Sequence, residues 1–507
     1  MGIVDELATI TDHPKINIDA KEYDRIDVDR TFFEGKFPDI KYKNSYGEQQ
    51  KRPYVSLNML QVISRRLASL LYNEQSKITV DTRPLQTDEE GNNQPYMQPD
   101  SVDDFVQSVL ADNDFNKNFE RYLESCLALG GLAIRPYVDT NTGKIKLSWI
   151  QAPSFYPLRS NTNDIASAAI ATPTVKVENG RNAYYTLLEF HEWTAAGYTI
   201  TNELYRSETV GRVGIKVPLG KLYPDLAETT LQQGFSRPLF VYLKPAGFNN
   251  RNLTSPLGIG IADNARDTLQ QINDAYDQFN WEVKMGQRRV AIPEGMADVI
   301  FDKSGKQQPK QVFDPGQNVY MPVPGDIDSF KITDLTTPIR SADYIQALNH
   351  FLKTLEMQVG LSSGTFSFDG TGLKTATEVV SENSMTYQTR NSHLTMVERA
   401  IKELVISICE LGKATVVNGQ HLFTGTIPTL DQISVDFDDG VFTDKSANAD
   451  YWIKLKAAGV VPDWLATARV LQISDEDAKK MVAEVNDATT ESTQPTRSSV
   501  LFGDGDA

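Results

Sequence analysis

Residues 360–380 read GLSSGTFSFDGTGLKTATEVV and contain the signal that best defines the fold. The first part of this stretch holds four glycines, at positions 360, 364, 370 and 372, and two phenylalanines that look exposed, Phe366 and Phe368. Glycine gives a chain conformational freedom, so this composition predicts a mobile loop. Thr375 and Glu378 then form the pattern of a helical capping box. The stretch therefore predicts a loop that stops abruptly where a helix starts.

The helix that follows the loop is unusually long. Apolar residues at helical spacing continue to Leu411, and Gly412 ends the pattern. A helix over Thr375–Gly412 has about 38 residues and spans roughly 57 Å, about three times the mean length, so it needs packing partners on several sides. Beyond it the patterns predict one strand, three short helices and a disordered polar end, at Ile433–Phe437, Asn448–Leu455, Pro462–Leu471, Asp475–Val485 and from Asn486 onward.

Two amphipathic helices precede the loop and enclose an insertion. Apolar residues recur three or four positions apart over Ile261–Met285 and over Ala342–Val359, which predicts a helix in each place. Between them, residues 287–338 break into short apolar runs separated by prolines. This pattern predicts a small β module with runs at Val290–Ile292, Val299–Phe301, Val312–Phe313 and Val319–Met321.

The first of these helices is rich in acidic side chains. They are Asp263, Asp267, Asp274 and Asp277. Clustered acids could in principle bind two metal ions, but these positions radiate around more than one face of the helix. A solvated acidic face is therefore the better interpretation.

The N-terminal half predicts an α/β unit behind an irregular segment. Residues 1–50 look irregular and polar. Asn179-Gly180 is a turn signal. The elements predicted from periodicity and turn residues are helices at Tyr54–Tyr72, from Ser101, and at Phe115–Leu129, two hairpins made by Ala133–Val138 with Lys144–Ile150 and by Ala183–Trp193 with Tyr198–Arg206, and a short strand at Leu239–Leu243.

Composition limits the function. The chain has 507 residues, a formal net charge of −17 and two cysteines, Cys126 and Cys409. We expect reduced core thiols rather than a bridge, because both lie in apolar helical patterns.

A membrane span needs about 18 consecutive apolar residues and a signal peptide needs a basic start. Neither pattern is present, so we expect folding in the cytoplasm. The acidity argues against a protein that grips nucleic acid, but not against one that surrounds DNA.

Two fragments imitate nucleotide sites. Residues 370–375 resemble a phosphate-binding loop, but Leu373 stands before Lys374, where the backbone must wrap the phosphates and glycine is needed. Gly258 and Gly260 resemble the start of a dinucleotide-binding turn, but Asp263 occupies the third glycine position and would repel a pyrophosphate. A loop and a helix entry are the better interpretations.

Two further fragments imitate metal sites. His191-Glu192 lacks the second histidine of a zinc protease, because position 195 is alanine, and it lies in a strand pattern. The acidic turn that starts at Asp436 has Ala447 where a calcium loop needs a bidentate acid. The sequence therefore predicts no catalytic residue, no metal and no cofactor, and we expect a protein that is not an enzyme.

The order of these elements resembles that of the large-phage portal family. Both run from an α/β wing through a helix, a β insertion, a return helix, a glycine-rich loop and a very long helix to a helical end. Short segments of the sequence are similar as well, particularly to the branch of the family found in siphophages of Gram-positive bacteria. The similar segments are LLYNE at 70–74, RPLFVY at 237–242, SPLG at 255–258, GTFSFD at 364–369, KTATEVV at 374–380 with Asn383-Ser384, and FDDGVF at 437–442.

The resemblance implies an α+β portal fold with an α/β wing, a helical stem, an inserted β-rich clip, a long wing helix and a helical crown. The implied segments are an N-terminal segment 1–50, wing 51–257, first stem helix 258–286, clip 287–338, second stem helix 339–359, tunnel loop 360–374, long wing helix and return strand 375–443, crown 444–485 and tail 486–507. The implied DNA-contacting residues of the loop are Gly360, Ser362, Ser363, Gly364, Thr365, Phe366, Ser367, Phe368, Asp369, Gly370, Thr371, Gly372 and Lys374.

The resemblance also implies a place in the virion. Twelve copies would form a ring at one capsid vertex, assembled in the host cytoplasm, through which double-stranded DNA is packaged, retained and ejected. The implied partners are the terminase large subunit, the head-tail connector (adaptor) protein, the major capsid protein and the scaffold, with no membrane. From the residues alone, acidic stem side chains facing a bore would repel phosphates and let DNA slide.

Other classes of phage protein fit less well. A non-enzymatic structural scaffold or a tail-assembly protein would account for the long helix. It would not account for the β insertion between two helices or for the glycine-rich loop. A head nuclease or protease would need a compact set of acids or a nucleophile, and neither is evident in the sequence.

Overall fold

The computed structural model describes residues 6–43, 47–73, 75–83, 86–87, 93–94, 101–161, 164–286, 290–293, 320–323, 333–334, 338–367, 384–437, 445–471, 478–479, 481–483 and 485. They fall into two compact units. The first contains helices α1 (Lys21–Glu34), α2 (Met59–Leu71), α3 (Ser101–Asp112), α4 (Phe115–Leu129), α5 (Arg266–Met285), α6 (Ser341–Gln358) and α7 (Ser384–Ala414). The second contains α8 (Lys445–Ala457) and α9 (Asp463–Leu471).

The strands of the described residues all belong to the first unit. They are β1 (Glu6–Leu7), β2 (Ile40–Lys43), β3 (Gln49–Arg52), β4 (Lys77–Val80), β5 (Gln86–Thr87), β6 (Asn93–Gln94), β7 (Leu132–Val138), β8 (Ile145–Gln151), β9 (Phe155–Ser160), β10 (Ile165–Glu178), β11 (Arg181–Thr194), β12 (Gly197–Ser207), β13 (Gly214–Val217), β14 (Thr229–Gln232), β15 (Val241–Leu243), β16 (Val290–Pro293), β17 (Tyr320–Val323), β18 (Thr333–Asp334), β19 (Val416–Val417), β20 (Gln420–His421) and β21 (Ile433–Asp436).

The largest sheet has seven strands in the order β1-β13-β12-β11-β10-β9, with β14 also paired to β12. Its centre is the hairpin of β10 and β11, in which Glu178 lies opposite Arg181. The two turn residues, Asn179 and Gly180, have φ angles of 50° and 77°. Positive φ at both positions is what a type I′ hairpin turn requires, so the Asn-Gly signal is confirmed.

Strand β10 itself is absent from the sequence prediction. It is 14 residues long, and its first half is almost fully buried, including Ala168, Ala169 and Ile170. Small alanines alternate poorly with polar residues, so the period of two is weak there. The Asn-Gly turn, which needs a strand on each side, is the signal that could have predicted it.

A second layer surrounds the long helix α7. Strands β7 and β15 of the three-stranded sheet β15-β7-β8 and helices α2 and α3 pack against it, and strand β21, which pairs with β4, lies alongside. The C-terminal part of α7 is buried without interruption from Leu404 to Gly412. The expectation that this helix needs partners on several sides is confirmed, and the described helix ends two residues beyond the predicted Gly412.

Helices α5 and α6 pack against each other and flank the insertion. The rings of Phe279 on α5 and Tyr344 on α6 lie 5.3 Å apart, and Arg340 Nη2 lies 2.7 Å from Glu282 Oε2. In the insertion, β16 pairs in parallel with β17 and antiparallel with β18. Two of the four predicted runs are thus strands, whereas residues 299–301 and 312–313 lie outside the described residues.

Two helix starts differ from the prediction. Helix α2 begins at Met59 rather than at Tyr54, because the amides of Val55 and Leu57 donate to side chains of α5 instead of entering a helix. Helix α5 begins at Arg266 after a 3₁₀ turn over Asp263–Ala265. The N–H of Ile261 donates to Leu127 O (2.9 Å), so a contact with the end of α4 replaces the helical turn predicted there.

The prediction that residues 1–50 are irregular is wrong. Helix α1 occupies Lys21–Glu34, and its buried residues include Glu22, Arg25 and Asp29. A helix that buries charged side chains has no apolar stripe, so hydrophobic periodicity gives no sign of it.

In the second unit, α8 and α9 confirm the first two of the predicted short helices. The capping box at Thr375 and the polar end from Asn486 lie outside the described residues.

None of the helices in the described ranges is both long enough and apolar enough to cross a bilayer.

Candidate functional site

The loop before the long helix begins as a helix cap. At the end of α6, Gly360 N–H donates to Met357 O (3.3 Å) and Leu361 N–H donates to Glu356 O (2.8 Å), which together form a Schellman motif. Gly360 has a φ of 74°, in the left-handed region that favours glycine. A Cβ at this position would also collide with the Thr389 hydroxyl. Glycine at 360 is therefore explained by the helix end.

The carboxylate of Glu356 lies beneath the next residues of the loop. Its Oε2 accepts the N–H of Gly364 (2.9 Å), and its Oε1 accepts the N–H groups of Phe366 and Ser367, the latter at 2.9 Å. Glu356 is 0% exposed. A buried carboxylate needs several donors to replace its lost hydration, and the loop backbone supplies them.

Helix α7 holds the other side of the loop. The Thr389 hydroxyl donates to Gly360 O (2.7 Å), and Ser362 N–H donates to Thr386 Oγ1 (2.9 Å). The hydroxyls of Ser362 and Thr386 are 3.0 Å apart. The loop residues from Gly360 to Ser367 are therefore tied to the end of α6 and to the beginning of the described part of α7.

The structure describes only part of the predicted tunnel loop. Gly360, Ser362, Ser363, Gly364, Thr365, Phe366 and Ser367 are described, and Phe368, Asp369, Gly370, Thr371, Gly372 and Lys374 lie outside the described residues. Ser363 and Gly364 are exposed, whereas Phe366 is half-buried and thus more covered than the sequence predicts.

The four acids of the predicted solvated face have different environments. Asp263 and Asp277 are 1% and 3% exposed, Asp274 is half-buried, and Asp267 is exposed. The prediction of a solvated face is therefore wrong for Asp263 and Asp277. Both are buried because arginines from other parts of the chain neutralise them.

Asp263 lies in an ionic cluster of three carboxylates and three guanidinium groups. Arg25, Arg251 and Arg266 all donate to its carboxylate, at 3.4, 2.8 and 2.6 Å. The members of the cluster are Glu22, Arg25, Asp29, Arg251, Asp263 and Arg266. The cluster joins α1, the loop around residue 250 and the start of α5.

Asp29 is the least compensated acid of the ionic cluster. Burial raises its pKa to about 7, and the hydrogen bond that it accepts from Arg266 (2.9 Å) opposes that rise. The nearby carboxylate of Asp263 raises its pKa further.

Asp277 and Asp274 anchor the segment before α2 to α5. Arg52 Nη1 donates to Asp277 Oδ1 (2.7 Å), which also accepts the N–H of Val55 (3.0 Å). The Tyr54 hydroxyl donates to Asp274 Oδ1 (2.7 Å), and its own pKa is raised by burial and by this contact. These acids serve packing within the chain.

The imitations of nucleotide and metal sites have structural explanations. Gly258 and Gly260 pack against the end of α4, where a Cβ on Gly130 would lie 2.8 Å from Gly258 O. His191 lies in strand β11, and Cys126 and Cys409 are free and buried. Among the residues that the structure describes, no group of three His, Cys, Asp or Glu side chains could hold a metal ion.

Comparison with known proteins identifies the chain. The family described as phage portal protein, SPP1 Gp6-like, matches residues 12–491. This chain belongs to that phage portal protein family. It is accordingly a portal protein and a structural component of a phage virion. No curated protein matches the chain in sequence.

Three solved structures are similar to this portal chain at 11% sequence identity. The virion of a native gene transfer agent particle has a TM-score of 0.43, with 89% of this chain and 94% of the other covered. The neck of the empty particle, computed with C6 symmetry, has 0.42 with the same coverage, and the neck of the native particle, computed with C12 symmetry, has 0.41 with 88% and 93% covered. The family match, rather than these distant likenesses, identifies the chain.

Sequence reasoning missed two groups of residues in this portal chain. Glu22, Arg25 and Asp29 lie at spacings of three and four in the N-terminal segment, which places them on one face of a helix. That spacing was a usable signal for α1. Glu356 follows an apolar position in a helix pattern, and its partners are backbone N–H groups, so no sequence pattern points to it.

Proposed function

We propose that this portal protein is the subunit of a ring that forms the DNA channel at one capsid vertex and serves genome packaging, retention and ejection. The observation that carries this proposal is the family match over residues 12–491. The paired helices α5 and α6 on either side of an inserted sheet support it, because a side-by-side pair can stack around a ring.

We infer a closed ring, with twelve subunits as the expected number. Exposed apolar side chains support it: Ile345 and Met357 on α6 are 49% and 65% exposed, and Met385 on α7 is 43% exposed. Apolar surface of this kind gains free energy when a neighbouring subunit covers it. Native mass measurement tests the inference, and a monomer that is stable at micromolar concentration in all salts would count heavily against it.

We assign the regions of the chain accordingly. Residues 51–257 form the first part of the wing, 258–286 and 339–359 the stem, and 287–338 the clip. Residues 360–374 form the tunnel loop, 375–443 the long wing helix with its return strand, and 444–485 the crown. The clip would meet first the terminase large subunit and then the head-tail connector protein, while the major capsid protein and the scaffold surround the ring.

The DNA contact is assigned to the tunnel loop. A net charge of −17 disfavours tight phosphate binding, so DNA can slide past an acidic surface. Of the four acids of the predicted acidic stem face, only Asp267 is exposed, and it is the one that we propose as a channel residue. Replacing Gly370 and Gly372 with proline should leave ring assembly intact and stop packaging. Normal filling of such particles with DNA would refute the assignment.

The portal ring is proposed to have no enzymatic activity of its own. The phosphate-loop imitation lacks its glycine at position 373, which argues against nucleotide hydrolysis. Incubation with ATP, magnesium and plasmid tests this. Turnover that persists through purification and is lost on changing Lys374 or Asp436 would contradict it.

The proposed origin of this portal protein is a siphophage of a Gram-positive host, with assembly in the host cytoplasm.

A further inference from the structure

Glu356, in the last turn of α6, contacts the loop with both its backbone and its side chain. Glu356 uses its backbone carbonyl to accept the N–H of Leu361 (2.8 Å), which closes the Schellman motif. Its side chain continues past the cap and reaches the loop from below. Glu356 thus takes part both in ending the helix and in holding the backbone that follows.

The loop backbone surrounds the Glu356 carboxylate. In the part of the chain that the structure describes, the hydrogen bonds to this carboxylate all come from residues 364–367, namely three backbone N–H groups and the Ser367 hydroxyl at 3.5 Å. Hydrogen bonds to a charged acceptor are about twice as strong as neutral ones. Since Glu356 is fully buried, moving the loop away would leave a desolvated charge behind.

The same residues are fixed from the side of α7. Thr386 and Thr389 bind Ser362 and Gly360 through their hydroxyls. Thr365 Oγ1 donates to Ser362 O (2.6 Å), which closes a tight turn. Residues 360–367 therefore have anchors on two helices, with the carboxylate of Glu356 at the centre.

We propose that Glu356 is a positioning residue that holds residues 360–367 as a rigid base linking α6 to α7. The base fixes the point from which the loop is presented to DNA, and in this respect the inference rests on the proposed channel function. The two described glycines of the loop have different roles: Gly360 caps α6, and the N–H of Gly364 binds Glu356.

The direct test is hydrogen exchange on assembled rings of Glu356→Gln. Glutamine keeps the shape but removes the charge and turns one acceptor into a donor. We expect the amides of Gly364, Phe366 and Ser367 to exchange at least about tenfold faster. A factor of ten corresponds to about 1.4 kcal/mol, and a hydrogen bond to a charged group usually contributes more than that. Glu410→Gln is the matched control, because Glu410 is also buried in a helix but binds Ser236. It should leave these three amides unchanged.

A functional measurement separates positioning from general support of the fold. Glu356→Gln rings should assemble with the wild-type mass, and their particles should package DNA several-fold more slowly than those of Glu410→Gln. Unchanged exchange at the three amides would overturn the positioning role. Faster exchange with normal packaging would overturn its link to DNA passage. If wild-type rings support no packaging, the proposed function fails, while the exchange result still decides the role of Glu356.

If Glu356→Gln rings do not assemble, hydrogen exchange on wild-type rings tests the proposal instead. The proposal requires the amides of Gly364, Phe366 and Ser367 to be protected in wild-type rings to the same degree as amides within α6. Exchange at the rate of an open chain would overturn it.

Discussion

At the scale of single residues, this chain buries charge by neutralising it within the fold. Asp263 has no exposed side-chain surface and is in contact with three guanidinium groups. The partners come from α1, from the loop near residue 250 and from α5 itself. Breaking such a pair is costly because the remaining charges stay buried and uncompensated. The ionic cluster therefore fixes the entry of α5 against the rest of the unit.

Asp263→Asn tests the ionic cluster. We expect it to destabilise the protein by about 3–5 kcal/mol, because Arg25 and Arg266 lose the charge that offsets their burial. Thermal unfolding at constant protein concentration measures the change. Asp267→Asn, four residues further along and exposed, should cost less than about 1 kcal/mol, the usual worth of an acid in the first turn of a helix. Equal effects of the two variants would contradict the role of the cluster.

His393 should make stability depend on pH. Its Nδ1 accepts the N–H of Ala246 (3.0 Å), and burial lowers its pKa to about 4 from the usual 6.5. The unfolded chain binds a proton below pH 6.5 and the folded chain only below about 4. Stability is therefore complete above pH 6.5 and falls as the pH drops from 6.5 to 4, by about 3 kcal/mol in total.

The comparison for this prediction is His393→Asn, whose side-chain oxygen can accept the same N–H without titrating. Unfolding curves measured from pH 7 to pH 4 should show the wild type losing its advantage over the variant as the pH falls. A constant difference between the two proteins over this range would show that His393 titrates normally.

At the scale of elements, close backbone contact explains glycines that resemble a binding motif. The end of α4 packs directly on residues 258–260, and Ile261 N–H donates to Leu127 O (2.9 Å). A Cβ on Gly260 would lie against Ala128 O, closer than real Cβ atoms approach. The pair Gly258 and Gly260 thus allows a helix end and a helix entry to touch, which determines where α5 starts.

Gly260→Ala tests this contact. We expect a loss of stability of about 1–3 kcal/mol, typical of overpacking, because the neighbouring atom is backbone and cannot move aside. Gly220→Ala is the matched control, since no atom lies within 4 Å of a Cβ built there and its backbone φ is ordinary. Thermal unfolding of both variants gives the answer. A stable Gly260→Ala protein would mean that the two segments can separate without cost.

At the scale of the whole molecule, the seven-stranded sheet and the helices around α7 form one compact unit with α5 and α6. Cys126 on α4 and Cys409 on α7 lie in this unit and are 1% and 0% exposed. Burial raises the pKa of both thiols, that of Cys409 to about 12. They are therefore sensitive reporters of the integrity of the unit.

Both thiols should be inert in the folded protein. Thiol reagents attack the thiolate, which is suppressed here by burial, so we expect almost no reaction at neutral pH over hours. After denaturation in guanidinium, two thiols per chain should react rapidly. Colorimetric thiol titration before and after denaturation measures this. Rapid modification of native rings would show that the unit opens readily.

The course of the chain was largely predictable, whereas many contacts of the site were not. Helices α3, α4 and α6 and the β insertion follow from apolar spacing and turn residues, since these patterns are local. Helix α1 and strand β10 were missed because one buries charge and the other is rich in alanine. The roles of Glu356, Asp263 and Asp277 depend on donors that lie far away in the sequence or on the backbone, so composition pointed to the opposite interpretation for both aspartates.

By itself, the sequence determined most of the helical and extended segments and where glycine interrupts them, because these properties depend largely on neighbours within a few residues. The order of these elements also carried the resemblance to portal proteins. Only the tertiary structure decided which charges are buried, which glycines cap or pack, and what holds the loop after α6. Those properties depend on residues such as Arg25 and Asp263, which are far apart in the chain and meet only when it folds.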